Sequence, residues 1–216
     1  MSKYKNIIFD LDGTIVDSKE AIINSLLHTL KEFDIVVSNK SDLYWCASPR
    51  LKTCFSKLLK VNDKDILQKA VSIYRDYYAK FWFVHTKIYD DILDVLIKLK
   101  ANGFRLFLVS NKPISLIEET LKKIELTDIF ESFYGNVSSE GKVGKERLVE
   151  EVIYDCELKI EETILIGDRK YDILAAKSND LDTIAVLYGY ASETELKGVY
   201  PDYLVKNPKD ILKVIG

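Results

Sequence analysis

Four short apolar runs, each ending in polar residues or glycine, constrain the fold of this chain most strongly. They carry β-branched residues and have the length of buried parallel strands, at residues 7–9, 104–109, 163–166 and 183–187. Apolar residues recur at helical spacing between them, in segments 92–99, 116–124 and 148–153. Strands and helices that alternate in this way predict βαβ units around a parallel sheet, an α/β fold. A last short run, residues 203–205, is a predicted edge strand.

Residues 17–85 interrupt this alternation with helical patterns that contain no convincing strand. The predicted helices cover residues 21–33, 51–59 and about 63–79, and Asp63 is the expected N-cap of the last one. We therefore expect a parallel-sheet core, residues 1–16 and 86–216, with a helical insert, residues 17–85. Because the insert follows the first strand, we expect it to form a lid over the end of that strand. An aromatic cluster is expected to pack the lid helices and hinge: Tyr74, Tyr77, Tyr78, Phe81, Trp82 and Phe83.

Composition excludes several classes of function. A net charge of −3 gives no electrostatic reason to expect nucleic acid as a partner. No apolar stretch approaches the roughly 18 residues that a membrane span needs, and the first residues do not resemble a signal segment, so we expect a cytoplasmic protein. Three widely spaced cysteines, Cys46, Cys54 and Cys156, argue against a disulfide framework or a zinc site. The two histidines, His28 and His85, are interpreted as structural or surface residues.

Two acidic residues, Asp10 and Asp12, follow the first predicted strand, and Gly13 then ends it. Ligands bind at the carboxyl ends of strands in open α/β sheets, and two crowded carboxylates repel each other unless a cation joins them. Carboxylate oxygens suit Mg²⁺, which usually also binds phosphate and water. Ser110 and Asp168 follow two other strands, so we expect them to meet Asp10 in one crevice.

Further polar residues complete this predicted site. Gly13 permits the chain to curl, and Thr14 adds a hydroxyl and amide groups suited to an anion. Asn111 can orient substrate or a neighbouring loop, and Asp172 lies one helical turn after Asp168 and can support the site. A phosphate also needs a cation, for which a glycine-rich loop offers two candidates, Lys142 and Lys145. Lys145 begins a predicted helix, where an amine opposes the helix dipole unless it faces an anion.

As a set, these motifs resemble those of the haloacid dehalogenase-like superfamily, most closely its magnesium-dependent phosphatases of the phosphoglycolate phosphatase type. The resemblance spans essentially the whole chain. It rests on Asp10-x-Asp12-Gly13-Thr14, Ser110 at a strand end, a loop lysine and Gly167-Asp168-x-x-x-Asp172. It implies a Rossmann-like parallel-sheet core with an inserted α-helical cap.

The resemblance also implies a role for each residue. Asp10 is the expected nucleophile that forms an aspartyl-phosphate, and Asp12 protonates the leaving group and then deprotonates water. Ser110 and the loop lysine hold phosphoryl oxygens. The residue spacing after Lys145 favours it over Lys142. Mg²⁺ is expected to be bound by Asp10, the backbone carbonyl of Asp12, Asp168 and Asp172, the last directly or through water.

The implied activity is hydrolysis of small phosphorylated metabolites, with phosphoglycolate and nucleoside monophosphates as leading candidates. Asp12 argues for phosphate chemistry, because a departing halide needs no proton. Two alternatives stay open: a sugar phosphomutase of the same superfamily, and a non-catalytic regulator that binds a phosphorylated ligand. Arg50 in the insert is either a contact to a substrate carboxylate or phosphate or a solvated residue at a helix start. A monomer and a homodimer are both compatible with the sequence.

Overall fold

A computed structural model of the protein describes residues 2–47, 51–137 and 143–216. The strands within these ranges are β1 (Asn6–Phe9), β2 (Val16–Asp17), β3 (Lys87–Ile88), β4 (Arg105–Pro113), β5 (Ser132–Asn136), β6 (Thr163–Gly167), β7 (Asp182–Val186) and β8 (Tyr203–Val205). The α-helices are α1 (Lys19–Lys31), α2 (Leu51–Leu59), α3 (Lys64–Phe81), α4 (Ile92–Ala101), α5 (Ile114–Lys123), α6 (Lys145–Asp155), α7 (Lys170–Lys177), α8 (Glu193–Lys197) and α9 (Asp210–Ile215). Short 3-10 helices occupy Lys40–Ala47, Trp82–His85 and Ile160–Glu162.

A six-stranded parallel sheet in the order β5-β4-β1-β6-β7-β8 forms the centre of the larger part of the chain. Strand β1 lies between β4 and β6, and its last residue, Phe9, pairs with Leu108 and Ile166. The residues that follow these three positions therefore lie side by side toward the carboxyl edge of the sheet. This topology confirms the predicted α/β class with a Rossmann-like parallel sheet, and β8 lies at the sheet edge as predicted.

Both faces of the sheet are covered by apolar side chains. Ile7 and Phe9 belong to the cluster on one face, and Ile8 belongs to the cluster on the other. All three are fully buried, as alternation along a strand between two helical layers requires. Each such side chain stabilises the fold by about 1.5–3 kcal/mol, so the position of β1 is fixed by packing on both sides.

Strand β5 was not predicted, because its sequence, Ser-Phe-Tyr-Gly-Asn, contains residues that are depleted in strands. Gly135 is required there, since a Cβ at this position would lie 2.7 Å from the carbonyl oxygen of Lys112. Strand β4 is also longer than predicted and continues past Val109 to Pro113, with a register irregularity between these two residues.

The chain divides into two compact units, one of residues 1–17 and 88–216 and the other of residues 18–87. The predicted domain boundaries lie one or two residues from this division. None of the described helices is long and apolar enough to cross a membrane.

The smaller unit is helical and contains α1, α2 and α3. Asp63 accepts hydrogen bonds from the backbone N–H groups of Asp65 and Ile66 at 3.0 Å, which confirms the predicted N-cap. Within the aromatic cluster, Tyr74, Tyr78 and Trp82 are buried, whereas Phe81 and Phe83 are exposed. His28 stacks on Tyr77, with the ring centroids 4.2 Å apart. All three cysteines are free thiols.

Candidate active site

The chain turns sharply directly after β1. The backbone N–H of Asp10 still donates to Ile166 in the neighbouring strand at 2.9 Å, so this residue continues the sheet by one position. Gly13 follows with a φ of +92°, and its N–H donates to the carbonyl of Val16. A Cβ at Gly13 would overlap the carboxylate of Asp168, so only glycine lets the turn approach this closely.

Three carboxylates from different parts of the chain meet at this edge. Asp10, Asp168 and Asp172 are buried, and one carboxylate oxygen of each lies within 4.8 Å of the others. Asp10 follows β1, Asp168 follows β6, and Asp172 lies in the first turn of α7. The predicted meeting of Asp10 and Asp168 is thus present, with Asp172 added from the following helix.

Lys145 supplies a positive charge to this group. It is the first residue of α6, and its side chain is only 3% exposed. Its Nζ lies 2.5 Å from Oδ1 of Asp10 and also donates to Asp172. The amine that opposes the dipole of its own helix therefore faces two carboxylates.

Backbone groups hold the other carboxylate oxygens. Oδ2 of Asp168 accepts from the N–H of Tyr190 at 2.7 Å, and Oδ2 of Asp172 accepts from the N–H of Arg169 at 2.8 Å. Oδ1 of Asp168 is buried and has no hydrogen-bond partner among the described residues. A buried carboxylate oxygen without a partner is costly unless another group binds it.

Burial and mutual repulsion perturb these groups. Burial raises the pKa of Asp10 to about 7, against the opposing effect of the Lys145 charge. Burial, followed by the charges of Asp172 and Asp10, also raises the pKa of Asp168. Burial alone would lower the pKa of Lys145, but the two adjacent carboxylates raise it, so this lysine stays protonated.

These residues fit a divalent metal ion. The site has three carboxyl groups and only one ammonium group, and the donors are hard oxygen atoms. A divalent cation would favour ionisation of these carboxyl groups. Oδ1 of Asp168, which has no hydrogen-bond partner among the described residues, would gain a partner if such an ion were bound. The donors of this cluster therefore fit Mg²⁺.

Asp12 pairs with a different lysine, Lys112. Its Oδ1 is 3.0 Å from Nζ of Lys112, whose side chain is 5% exposed. Lys112 was not identified from the sequence. A signal existed, because Lys112 lies two residues after Ser110, and alternate residues of a strand share a face.

The remaining predicted residues are distributed around the turn and the end of β4. Ser110 is buried, and its Oγ accepts from the N–H of Lys112 at 3.4 Å. Thr14 is buried, and its carbonyl accepts from the Tyr188 hydroxyl at 3.0 Å. The carbonyl of Asn111 accepts from the Asn136 side chain at 3.1 Å. The other two predicted substrate contacts, Arg50 and Lys142, lie outside the described residues.

The similarity to known proteins extends over nearly the whole chain. A family model described as haloacid dehalogenase-like hydrolase matches residues 7–186. The chain is 26% identical over 213 residues to a phosphoglycolate phosphatase of Colwellia psychrerythraea, covering 95% of this chain and 94% of that one. It is 29% identical over 201 residues to a 5'-nucleotidase of Pseudomonas aeruginosa, covering 93% and 90% respectively. A solved structure of a predicted phosphatase from Clostridium acetobutylicum is similar with a TM-score of 0.89 and 35% identity, over 98% of this chain and 100% of that one.

Proposed function

This chain belongs to the haloacid dehalogenase-like hydrolases and is a phosphatase of that family. On that premise, we propose that it is a Mg²⁺-dependent enzyme that hydrolyses small phosphate monoesters through an aspartyl-phosphate on Asp10. The observation that carries the proposal is the buried group of Asp10, Asp168 and Asp172 around Lys145. The group combines a nucleophile, a cation and metal ligands at the carboxyl edge of a parallel sheet, where ligands bind in this class of fold.

The reaction proceeds in two steps. An Asp10 oxygen bonds to phosphorus while the ester P–O bond breaks, and the leaving oxygen takes that electron pair and a proton from the Asp12 carboxyl group. A water molecule then gives a proton to the Asp12 carboxylate and attacks phosphorus, which releases inorganic phosphate and restores the Asp10 carboxylate. Division into two steps replaces one difficult displacement by two easier ones.

Positive charge and hydrogen-bond donors are needed before a carboxylate can approach a dianionic phosphate. Lys145 is placed to supply one charge, since its ammonium group already contacts Asp10. Ser110 adds a hydroxyl group. The backbone N–H groups of Gly13 and Thr14 already donate to carbonyls within the turn, so these two residues shape the turn beside the phosphate. Asp10, Asp168 and Asp172, with the backbone carbonyl of Asp12, would hold Mg²⁺. The bound ion would supply further positive charge against the phosphoryl oxygens.

Two substrate classes are favoured, phosphoglycolate and nucleoside 5'-monophosphates, because relatives with each named activity are similar to this chain over nearly its full length. Both are small phosphate monoesters of the cytoplasm, where we place the enzyme, as a monomer or homodimer. We expect kcat/KM to differ between these classes, since discrimination resides in transition-state binding.

The test is Mg²⁺-dependent release of phosphate from p-nitrophenyl phosphate and from a panel of metabolite phosphates. Asp10→Asn should lower the rate by at least about 10³-fold, because the nucleophile is lost. Asp65→Asn, at an exposed position in the first turn of α3, is the matched control and should retain the wild-type rate. Equal release by wild type and Asp10→Asn would remove the covalent mechanism.

The panel also separates the two alternatives. Conversion of a sugar phosphate into its isomer, without net release of phosphate, would identify a phosphomutase. Binding of a phosphorylated ligand without turnover of any substrate would identify a regulatory protein.

A further inference from the structure

Lys112 is a buried cation that the mechanism above does not use. An ammonium group is costly to remove from water, and it persists in a protein interior when it is paired and hydrogen-bonded. The Lys112 side chain is 5% exposed, and its Nζ lies 3.0 Å from Oδ1 of Asp12, whose side chain is 24% exposed. Within this pair the lysine is buried, whereas solvent reaches the carboxylate.

The main chain at Lys112 is fixed by the neighbouring strand β5. The Asn136 side chain donates to the carbonyl of Asn111 at 3.1 Å. Gly135 lies so close to Lys112 that a Cβ there would be 2.7 Å from the Lys112 carbonyl oxygen. These contacts cover the irregular part of β4, between Val109 and Pro113. The base of the Lys112 side chain therefore has little freedom, and its ammonium group has a restricted reach.

Two lysines contact acidic residues at the site. Lys145 contacts Asp10 and Asp172, whereas Lys112 contacts Asp12. Asp10 and Asp12 are separated by one residue, and their negative charges repel each other. A cation hydrogen-bonded to Asp12 offsets this repulsion and restricts the direction of its carboxyl group.

We infer that Lys112 is a positioning residue, which holds the Asp12 carboxyl group where the leaving oxygen of the substrate arrives. The inference rests on the proposed function, in which Asp12 passes a proton to that oxygen as the ester bond breaks. Positioning of the acid matters most for a leaving group that cannot depart as an anion. An alkoxide needs the proton, whereas p-nitrophenolate is a stable anion and departs without it.

The experiment compares kcat/KM for an alkyl phosphate and for p-nitrophenyl phosphate, because this parameter includes the departure of the leaving group. Lys112→Met should lower kcat/KM by about 10²-fold for the alkyl ester and by less than about threefold for the aryl ester. Lys122→Met is the matched control, since it removes an exposed lysine that pairs with Glu118 in α5. It should leave both values unchanged.

A double variant separates positioning from other roles of Lys112. In an Asp12→Asn background, Lys112→Met should change kcat/KM for the alkyl ester by less than about twofold, because residues that act as a unit are not additive. Lys112→Gln, which keeps an N–H donor, serves if the Met variant does not fold, and the same selective loss is expected.

Equal losses on both esters would overturn the inference, since they indicate phosphate binding or general damage to the site. A loss that persists undiminished in the Asp12→Asn background would overturn it as well. Different results would show that the proposed function itself is wrong. In that case the wild-type protein releases no phosphate from either ester, or Asp10→Asn is as active as wild type.

Discussion

Lys145→Met should strongly lower the folding stability of the protein. Lys145 is 3% exposed, and its carboxylate partners Asp10 and Asp172 are 9% and 4% exposed. Solvent therefore screens these interactions very little. Removal of the cation leaves three clustered carboxylates, of which two have lost their buried partner. Loss of one partner from a buried ion pair costs about 3–5 kcal/mol.

For a domain of this size, each kcal/mol lowers Tm by about 2–4 °C, so we expect Tm to fall by about 6–20 °C. The measurement is thermal unfolding by circular dichroism in a chelator, at neutral pH. Lys122→Met, in the exposed pair with Glu118, should stay within about 0.5 kcal/mol of wild type.

Addition of Mg²⁺ provides an independent test of the same reasoning. The variant site keeps three carboxyl groups and has no ammonium group, so saturating Mg²⁺ should raise the Tm of Lys145→Met by more than it raises the Tm of the wild type. A chelator-treated variant with wild-type Tm would refute the reasoning, because it would mean that the carboxylates tolerate each other without the lysine.

Further predictions concern other parts of the chain. Gly13→Ala should lower Mg²⁺-dependent phosphate release by at least about tenfold, measured at saturating substrate, because a Cβ at a φ of +92° overlaps the Asp168 carboxylate. Phe55→Ala in the smaller unit should lower the free energy of unfolding by about 3–5 kcal/mol in urea titrations, since the ring is fully buried. Burial opposes ionisation of Asp182, but hydrogen bonds from Lys3 and Tyr4 outweigh it and lower its pKa. This carboxylate therefore stabilises the fold above its unfolded pKa of about 4, and the contribution is lost as pH falls below that value. Asp182→Asn should flatten this acid limb of a plot of unfolding free energy against pH.

Much of the sheet and the acidic part of the site could be predicted because strong patterns encode them. An apolar run that ends in a charged residue marks both the strand and the edge at which it ends. The rule that parallel strands end on one side then brings Asp10 and Asp168 together from positions 158 residues apart. The N-cap at Asp63 could be predicted for a similar reason, because its effect is local to the first turn of α3.

The features that escaped prediction depend on contacts between distant segments. Strand β5 lacks an apolar pattern, and its Gly135 is explained only by the approach of Lys112. The extension of β4 into Asn111 and Lys112 has the composition of a loop, so Lys112 was not recognised as a buried residue. The pairing of Lys112 with Asp12 likewise needs the three-dimensional order of the strands.

The central place of β1 affects how the protein acquires activity during synthesis. Asn6, near the start of the chain, pairs with Thr163 in β6, so 157 residues separate two adjacent positions of the sheet. Strands that are this far apart in the sequence pair slowly during folding. A growing polypeptide consequently carries its nucleophile from the beginning but gains the second acidic strand end only when three quarters of it has been made. Turnover of a chromogenic ester would thus report completion of the sheet, and a refolding enzyme should regain secondary structure before it regains catalysis.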